Sequence, residues 1–544
     1  MASQAAAAPA VCRAPPRARR GAADPAPRAG RARGPAGKDR SASLVAAAGA
    51  AAPARGARLP SVGASGPRRG SPPEPSRSST APPLAARGGP AASPPPPEQR
   101  GSRRVPCIDV GCARRNEEVL VQVAEKLGWG VCRGGSSGTV AWVVRNEDVA
   151  DWLLRLRPRQ LLSHIPGMSH ACGKVSLARG LQAQGADFWP RSWRVPEFSA
   201  QAIVKDAFAT GEVCLIVKPD GGSHGEGIHL ARTRDELRRG LEKLLFPAAI
   251  VQEYVDRPLL LDGYKWDCRL YALVMPSPRG GLSCWLAREG LVRVCIDPYE
   301  APVPRNLHKL TVHLTNYSLS KFSEKFVFSD DAASGDSGCK RALSAVLSGL
   351  EARGSLGGGS AESLWERLES LARQTVDAMA SPLTAAGFNP ATWEGSEEVA
   401  LQAQEKFERC FQIVGMDVLL DEGARPWLLE VNNNPSLSVD EIRPLEGCRT
   451  RAEVNQVFAA AKRESGQGPK RWGQPCRCSK HPRPHAHYEC PVDVAVKVPV
   501  VEGTLLIVSR ASERARAGGV GPEPAGGGAP EGARWAEGTI FRPV

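Results

Sequence analysis

The chain has 544 residues, of which 42% are hydrophobic and 24% charged, with a formal net charge of +14. Its length indicates two to four domains of ordinary soluble composition. The absence of any run of about 18 apolar residues excludes a transmembrane helix, and we expect no secretory segment. The 15 cysteines are scattered singly through apolar runs, which favours reduced thiols over a disulfide framework.

The positive charge is concentrated at one end of the chain. Residues 1–104 contain 18 Arg and Lys, 4 Asp and Glu, and no aromatic residue, so the remainder is formally neutral. A segment of Ala, Pro, Arg, Gly and Ser buries too little apolar surface to fold. We expect a disordered basic arm, which is either a solvated tail or an attractor of acidic partners. A membrane or nucleic acid is not the expected partner.

Folded character begins near Val105, and the elements then follow in a regular order. Strand, helix and strand patterns predict a small α/β lobe over 105–165. Further strands and helices predict a central lobe over 166–260 and a larger lobe over 261–465. Ser- and Gly-rich residues 329–363 predict a mobile insertion in the larger lobe, and 466–544 predict a low-complexity tail.

An acidic turn joins two apolar runs in "MDVLLDEGARPWLLEV" (416–431). Asp-Glu-Gly is a strong turn signal, so the segment predicts a β-hairpin. Antiparallel pairing would bring Asp417 close to Glu430, with Asn432 one step beyond. Two carboxylates and an amide oxygen suit Mg²⁺, although a surface hairpin with a polar end fits the pattern equally.

A second polar group begins with "IVKPDGGSHGEGIHL" (216–230), where Lys218 ends a buried strand and precedes a glycine-rich flap. Lysine and exposed backbone N–H groups both suit phosphate, but a plain β-turn is the alternative. Lys265, Asp267 and Arg269 alternate along a later strand and therefore share one face. That face is either an exposed polar surface or a binding surface for something charged.

Taken in order, these motifs resemble the tubulin–tyrosine-ligase-like family of ATP-grasp ligases. The matching segments span roughly 160–445: "KPDGGSHGEGI", "VQEYVDRPLLLDGYKWDCRLYALV", "HLTNYSLSK", "GMDVLLD" and "WLLEVNNNPSLS". Two further segments, "IPGMSHACGKVSLARGL" and "FWPRSWRVP", look most like the protein polyglycylase branch. The resemblance implies an ATP-grasp fold of mixed α/β (α+β) class.

The resemblance also implies roles for individual residues. Asp417, Glu430 and Asn432 would ligate Mg²⁺ or Mn²⁺, and Arg269 would meet the incoming amino acid or the transferring phosphate, with Lys174 as a further contact. Arg269, Lys218 and Glu430 form the expected catalytic set. The nucleotide would contact residues from three of the matching segments: Lys218, His224, Gly225, Gln252, Glu253, Tyr254, Val255, Lys265, Trp266, Asp267, Thr315 and Asn316. His224 stands where the family more often has Gln, and Trp266 where it often has Phe.

The implied reaction is ATP- and Mg²⁺-dependent formation of an amide bond. ATP would convert a carboxylate to an acyl phosphate, and the amine of free glycine would then attack, leaving glycine on glutamate side chains of tubulin or another acidic-tailed protein. A glutamate ligase of the same fold is the first alternative, and a binding module for acidic tails is the second. The resemblance implies a cytoplasmic, cytoskeleton-associated protein, with the cilium or axoneme as a possible site.

A Cys/His-rich segment lies outside the resemblance. "CRCSKHPRPHAHYEC" (476–490) contains six candidate ligands whose spacing partly suits zinc: Cys476, Cys478, His481, His485, His487 and Cys490. Prolines interrupt the run, so a polar loop is the alternative.

Overall fold

The computed structural model describes the chain from residue 105 onward, and the described residues fall in one compact unit. The predicted basic arm over 1–104 lies outside them. The remaining gaps are 135–137, 210, 222–224, 245, 278–280, 384–396, scattered positions over 446–458, 461–484 and 517–535. Cysteines in the described residues are all free, as the sequence predicts. No described helix is both long and apolar enough to cross a membrane.

The first lobe is a parallel sheet with the order β2-β1-β3-β4. Its strands are β1 (Cys107–Cys112), β2 (Gly130–Cys132), β3 (Val140–Val143) and β4 (Leu161–Leu162). Its helices are α1 (Glu117–Leu127) and α2 (Asn146–Arg155). Helix α1 buries Val119, Leu120 and Val123 and ends at Gly128, whose left-handed backbone suits glycine.

The second lobe is an antiparallel sheet with the order β5-β8-β6-β7. Its strands are β5 (Ser192–Val195), β6 (Leu215–Pro219), β7 (His229–Ala231) and β8 (Ala249–Glu253). The helices before and within it are α3 (Met168–Ala171), α4 (Lys174–Ala183), α5 (Ala200–Ala207) and α6 (Arg234–Glu242). Thr233 and Glu236 form a capping box that fixes the start of α6.

The third lobe is built on a seven-stranded antiparallel sheet with the central order β12-β11-β10-β13-β14. Its strands are β9 (Leu260–Leu261), β10 (Tyr264–Pro276), β11 (Leu282–Val294), β12 (Lys340–Ala342), β13 (Gln412–Leu420), β14 (Pro426–Asn432) and β17 (Phe541–Pro543). The helices between these strands are α7 (Leu310–His313), α8 (Tyr317–Ser320), α9 (Leu343–Ala352), α10 (Ala361–Leu383) and α11 (Glu397–Glu408).

The two faces of β10 carry different kinds of residue. Even-numbered Trp266, Cys268 and Leu270 belong to the main apolar core. The opposite face begins with the charged residues at 265, 267 and 269 and continues with Tyr271 and Leu273, which pack in a second apolar core. One face of a single strand therefore passes from charged to apolar within a few residues.

The C-terminal region differs from the predicted low-complexity tail. Strand β15 (Asp440–Pro444) pairs with β16 (His485–Glu489), and the long helix α12 (Pro491–Arg516) follows. Helix α12 is stabilised by a row of buried valines, with Leu505 and Ile507, that pack in the second core beside Tyr271. Composition concealed this helix, because Gly- and Pro-rich sequence flanks it on both sides.

Two smaller expectations are also revised. The predicted insertion over 329–363 contains β12 and α9, whose buried Leu343, Val346 and Leu350 pack in the main core. Within the proposed zinc segment, His485 and His487 lie on β16 rather than in a loop, and His487 Nδ1 hydrogen-bonds Asp440. The other half of that segment, 476–484, lies outside the described residues.

Candidate active site

The cross-strand register gathers five charged residues on one face of the third sheet. Asp267 lies opposite Arg293 of β11, and Arg269 lies opposite Asp417 of β13. Asp417 in turn lies opposite Glu430 of β14. Residues directly opposite one another project to the same face, so these side chains form one continuous row across four strands.

Four residues of the row are linked by ion pairs, in which carboxylates and guanidinium groups alternate: Asp267, Arg293, Asp417 and Arg269. Arg269 binds Asp417 through two nitrogens, with Nη2 at 2.9 Å from Oδ2. Arg293 Nε donates to Asp267 Oδ1 at 2.8 Å, and Arg293 Nη2 lies 2.8 Å from Asp417 Oδ2. Burial would raise the pKa of Asp417, but Arg269 and Arg293 outweigh it and hold that pKa well below its usual range.

Glu430 reaches this face because of a β-bulge. Val418 pairs with Leu428 and Asp417 with Glu430, so Leu429 is one extra residue in β14. Leu428 and Val418 face the main core, and strict alternation would turn Glu430 toward the core as well. The extra residue reverses the alternation, so Glu430 shares the face of Asp417, as the sequence analysis expected.

The same bulge connects the metal-binding candidates to Lys218. Lys218 Nζ donates to the carbonyl oxygen of Leu429 at 3.3 Å and to Gln252 Oε1 at 2.7 Å. Both acceptors are uncharged. Burial lowers the pKa of Lys218 to about 8, against the opposing effect of nearby Glu430. A buried lysine with a lowered pKa thus contacts the residue that directly precedes Glu430.

Three predicted metal ligands differ in their exposure and partners. The Asp417 side chain is 3% exposed and that of Glu430 is 27% exposed. Asn432 Nδ2 donates to Glu430 Oε1 at 3.3 Å, and Lys174 Nζ lies 3.8 Å from Glu430 Oε2. This hard oxygen set fits Mg²⁺ chemically. Among the described residues, no group of three or more His, Cys, Asp or Glu could hold a metal ion.

A second buried lysine forms its own cluster. Lys265 Nζ donates to the Tyr254 hydroxyl at 2.7 Å and lies 4.0 Å from the centre of its ring. Tyr254 also contacts His313 Nδ1 at 3.2 Å. Burial lowers the pKa of Lys265 to about 8. His313 is not among the site residues predicted from the sequence, although it lies at the start of the "HLTNYSLSK" motif.

Other predicted nucleotide contacts have mixed outcomes. The end of the flap lies close to the residues on either side of Thr315 and Asn316. A Cβ atom placed on Gly225 would be 3.3 Å from Leu319 and 3.7 Å from Leu314. His224 lies outside the described residues. Trp266 does not join the site, because strand alternation turns it into the main core.

The backbone of residues 252–255, predicted above to contact the nucleotide, has partners within the fold. The amide of Glu253 donates to the carbonyl of Arg191 at 2.9 Å, and that of Tyr254 to Cys214 at 2.9 Å. These two amides are therefore already used within the fold. Gln252 contributes its side chain, which binds both Lys218 and Ser192, and Val255 lies just beyond the end of β8.

Comparison with known proteins identifies the family of this chain. Residues 154–444, more than half of the chain, match the Tubulin-tyrosine ligase family. The chain belongs to this family. The matched range contains the whole charged row and both lysine clusters, and it ends at the last residue of β15.

Three proteins that are similar in sequence to this chain are named tubulin polyglutamylases. Human tubulin polyglutamylase TTLL11 is 35% identical over 51% of this chain and 38% of its own length. Caenorhabditis elegans tubulin polyglutamylase ttll-11 is 32% identical over 74% of this chain and 51% of its own. Danio rerio tubulin polyglutamylase ttll6 is 30% identical over 59% and 39%. The chain thus spans about half or less of these relatives.

Some of the residues that hold the charged row in place lie outside the range 154–444 matched by the family. Lys340 of β12 lies opposite Arg293, and its Nζ is 2.5 Å from Asp493 Oδ2 on α12. Asp493 also binds Lys497 at 2.8 Å, and Lys497 Nζ donates to the carbonyl of Ser438 at 2.5 Å. One buried aspartate therefore links the strand beside Arg293 to the loop that follows Glu430.

Gly415 gives a direct test of this packing. It lies two residues before Asp417 on the same face, where a Cβ would approach Arg269 Cδ to 2.8 Å and Pro435 Cβ to 2.9 Å. Gly415→Ala should therefore displace Arg269 and lower the free energy of unfolding by about 1–3 kcal/mol. Urea denaturation measures this loss.

The matched control is Gly349→Ala in α9, where the new Cβ would meet only the flexible end of Arg353, at 3.7 Å. Alanine is a better helix former than glycine, so this change should leave stability unchanged or raise it. If the two variants had the same free energy of unfolding, the position of Arg269 would not depend on the absence of a side chain at Gly415.

Proposed function

We propose that this protein is an ATP- and Mg²⁺-dependent amide ligase that adds glutamate to glutamate side chains of an acidic protein tail. The observation that carries the proposal is the convergence of Lys218 with the Asp417–Glu430 pair at the bulge of β14. Phosphoryl transfer depends mainly on positioning and charge neutralisation, and these residues are suited to both.

Glutamate is favoured over glycine, which the sequence analysis had preferred. The relatives named above are polyglutamylases, and none of those names refers to glycine. A glutamate ligase needs a cation for the additional side-chain carboxylate. Arg293 is our candidate, because it lies in the row next to Arg269 with 13% of its side chain exposed.

In the proposed reaction, the carboxylate of the acceptor glutamate attacks the terminal phosphorus of ATP, and ADP leaves. The amine of the incoming glutamate then attacks the acyl phosphate, and inorganic phosphate leaves as the amide forms. Lys218 and Lys265 would hold the phosphate oxygens, while Arg269 and Arg293 would orient the incoming amino acid. No nucleophilic side chain is needed.

Asp417, Glu430 and Asn432 would hold Mg²⁺, or Mn²⁺ in its place. When bound, the cation would neutralise charge on the phosphate oxygens. Asp417 is already tied to two arginines, so the more exposed Glu430 is the ligand best placed to meet a nucleotide. Lys174, near Glu430, is a further candidate contact.

Tubulin is the proposed protein substrate, because the relatives' names identify tubulin polyglutamylases. The same names suggest an association with the cytoskeleton. The cilium and axoneme stay predictions from the sequence resemblance.

A competition experiment tests the choice of amino acid. Incubating the full chain with tubulin, ATP, Mg²⁺ and equal amounts of isotopically distinct glutamate and glycine should add glutamate alone, detected by mass spectrometry. Glu430→Gln should lower the rate by about 100-fold or more, because a charged group that acts at the phosphates is lost.

Glu422→Gln is the control for that experiment, since Glu422 lies in the exposed turn of the same hairpin and pairs with Arg257. It should retain full activity. Addition of glycine instead would reverse the assignment of the amino acid. Tubulin binding without any ATP-dependent addition would favour the binding-module alternative.

The lowered lysine pKa values predict how nucleotide binding depends on pH. With pKa values of about 8, Lys218 and Lys265 lose their protons as pH rises from 7 to 9. Only the protonated forms attract phosphate. ATP affinity should therefore fall by about tenfold for each lysine that contributes, and binding near pH 8 should take up protons.

Calorimetry in buffers of different ionisation enthalpy measures that proton uptake. Lys218→Arg is the informative variant, because arginine stays charged over this range, and it should flatten part of the pH dependence. An affinity that is constant between pH 7 and 9 in the wild type would exclude both lysines from phosphate binding.

A further inference from the structure

A groove of about 430 Å³ lies at the edge of the second lobe, outside the charged row. One wall is a face of α6 with its following residue Lys243, and the other is the loop over 304–310. The floor is β7, which is the edge strand of its sheet. Neither the family comparison nor the proposed reaction assigns a role to this groove.

The groove is positively charged. Arg239 and Lys243 line it and are exposed, and neither forms an ion pair with another described residue. The one acidic residue in its lining is Glu236. One oxygen of that carboxylate, Oε2, already accepts hydrogen bonds from the backbone amides of Arg232 and Thr233, at 2.8 and 3.0 Å. Burial and the charge of Lys243 lower the pKa of His229 in the floor.

The lining suits a negatively charged peptide rather than a small anion. Ile228, Leu230 and Leu307 provide apolar surface between the cations, and glutamate side chains have methylene groups as well as a charge. An edge strand also offers a place for an extended chain to pair. Because the chain beyond residue 104 is formally neutral, this concentration of cations is a local feature.

The groove is also connected to the candidate active site. Its loop wall leads directly into α7, where His313 contacts Tyr254 and thereby the Lys265 cluster. Leu230 of the floor packs in the same apolar cluster as Tyr254, with Leu307 and Leu310 against it. A chain lying in the groove would therefore contact the segment that leads to the proposed nucleotide-binding residues.

We propose that this groove binds an acidic stretch of the protein substrate, away from the glutamate that is modified. The inference rests on the proposed function for the identity of the substrate, but the binding itself requires no catalysis. It makes the groove a docking surface that determines which acidic tails are held long enough to be modified.

The test uses the full chain and a fluorescent glutamate-rich peptide, with binding measured by anisotropy. The double variant Arg239→Glu/Lys243→Glu should weaken peptide binding at least tenfold and reduce its dependence on salt. The matched control is Arg234→Glu/Arg238→Glu on the same helix. Neither control residue lines the groove, and Arg238 already pairs with Asp235. The control has the same change in net charge and should bind within about twofold of the wild type.

Two further measurements separate the possible outcomes. A Glu→Gln version of the peptide should bind no better to the wild type than to the groove variant. Binding of ATP with Mg²⁺ should be the same in all proteins, which reports that the variants are folded. Equal loss in both double variants, or no loss in the groove variant, would overturn the proposal. Absence of ligase activity with peptide binding intact would count against the proposed function alone.

Discussion

The alternating ion pairs on one face of the third sheet are the interaction on which the rest of the site depends. Buried charges are costly unless each has a partner of opposite sign. Here Arg293 is shared by Asp267 and Asp417, and Asp417 is shared by two arginines. Because these partners lie at paired positions of β10, β11 and β13, the positions of the four charged groups are fixed by backbone pairing rather than by flexible loops.

Two features of the surrounding structure make this row possible. The bulge at Leu429 brings Glu430 to the charged face and frees a carbonyl for Lys218. The buried Asp493 then ties Lys340 and Lys497 together, which secures the strand beside Arg293 and the loop after Glu430. Since α12 carries Asp493, a helix outside the family match is part of the site's support.

Short-range patterns in the sequence predicted much of the site. The alternation of Lys265, Asp267 and Arg269 defined one face of β10, and the acidic turn predicted the β13–β14 hairpin. Both depend on residues close together in the chain, where periodicity and turn chemistry act. The same alternation, applied to position 266, would have assigned Trp266 to the core.

Features that depend on distant pairing could not be read in this way. Arg293 joins the row only because β11 pairs with β10, and nothing in "LVRVC" distinguishes it from an exposed arginine. His313 acquires a role only through contact with Tyr254, 59 residues away. Helix α12 was obscured by the composition of its flanks, and its charged residues make sense only beside Lys340. The proposal of glutamate rather than glycine rests on the names of the relatives and not on any pattern in this sequence.

The most direct test of this account is a double-mutant cycle on Arg269 and Asp417, measured by urea unfolding without divalent cations. Arg269→Met and Asp417→Leu should each lower the free energy of unfolding by about 3–5 kcal/mol, because each leaves a buried charge without its main partner. The double variant should lose less than the sum by at least about 1.5 kcal/mol. Losses that add to within about 0.5 kcal/mol would contradict the claim that this pair organises the site.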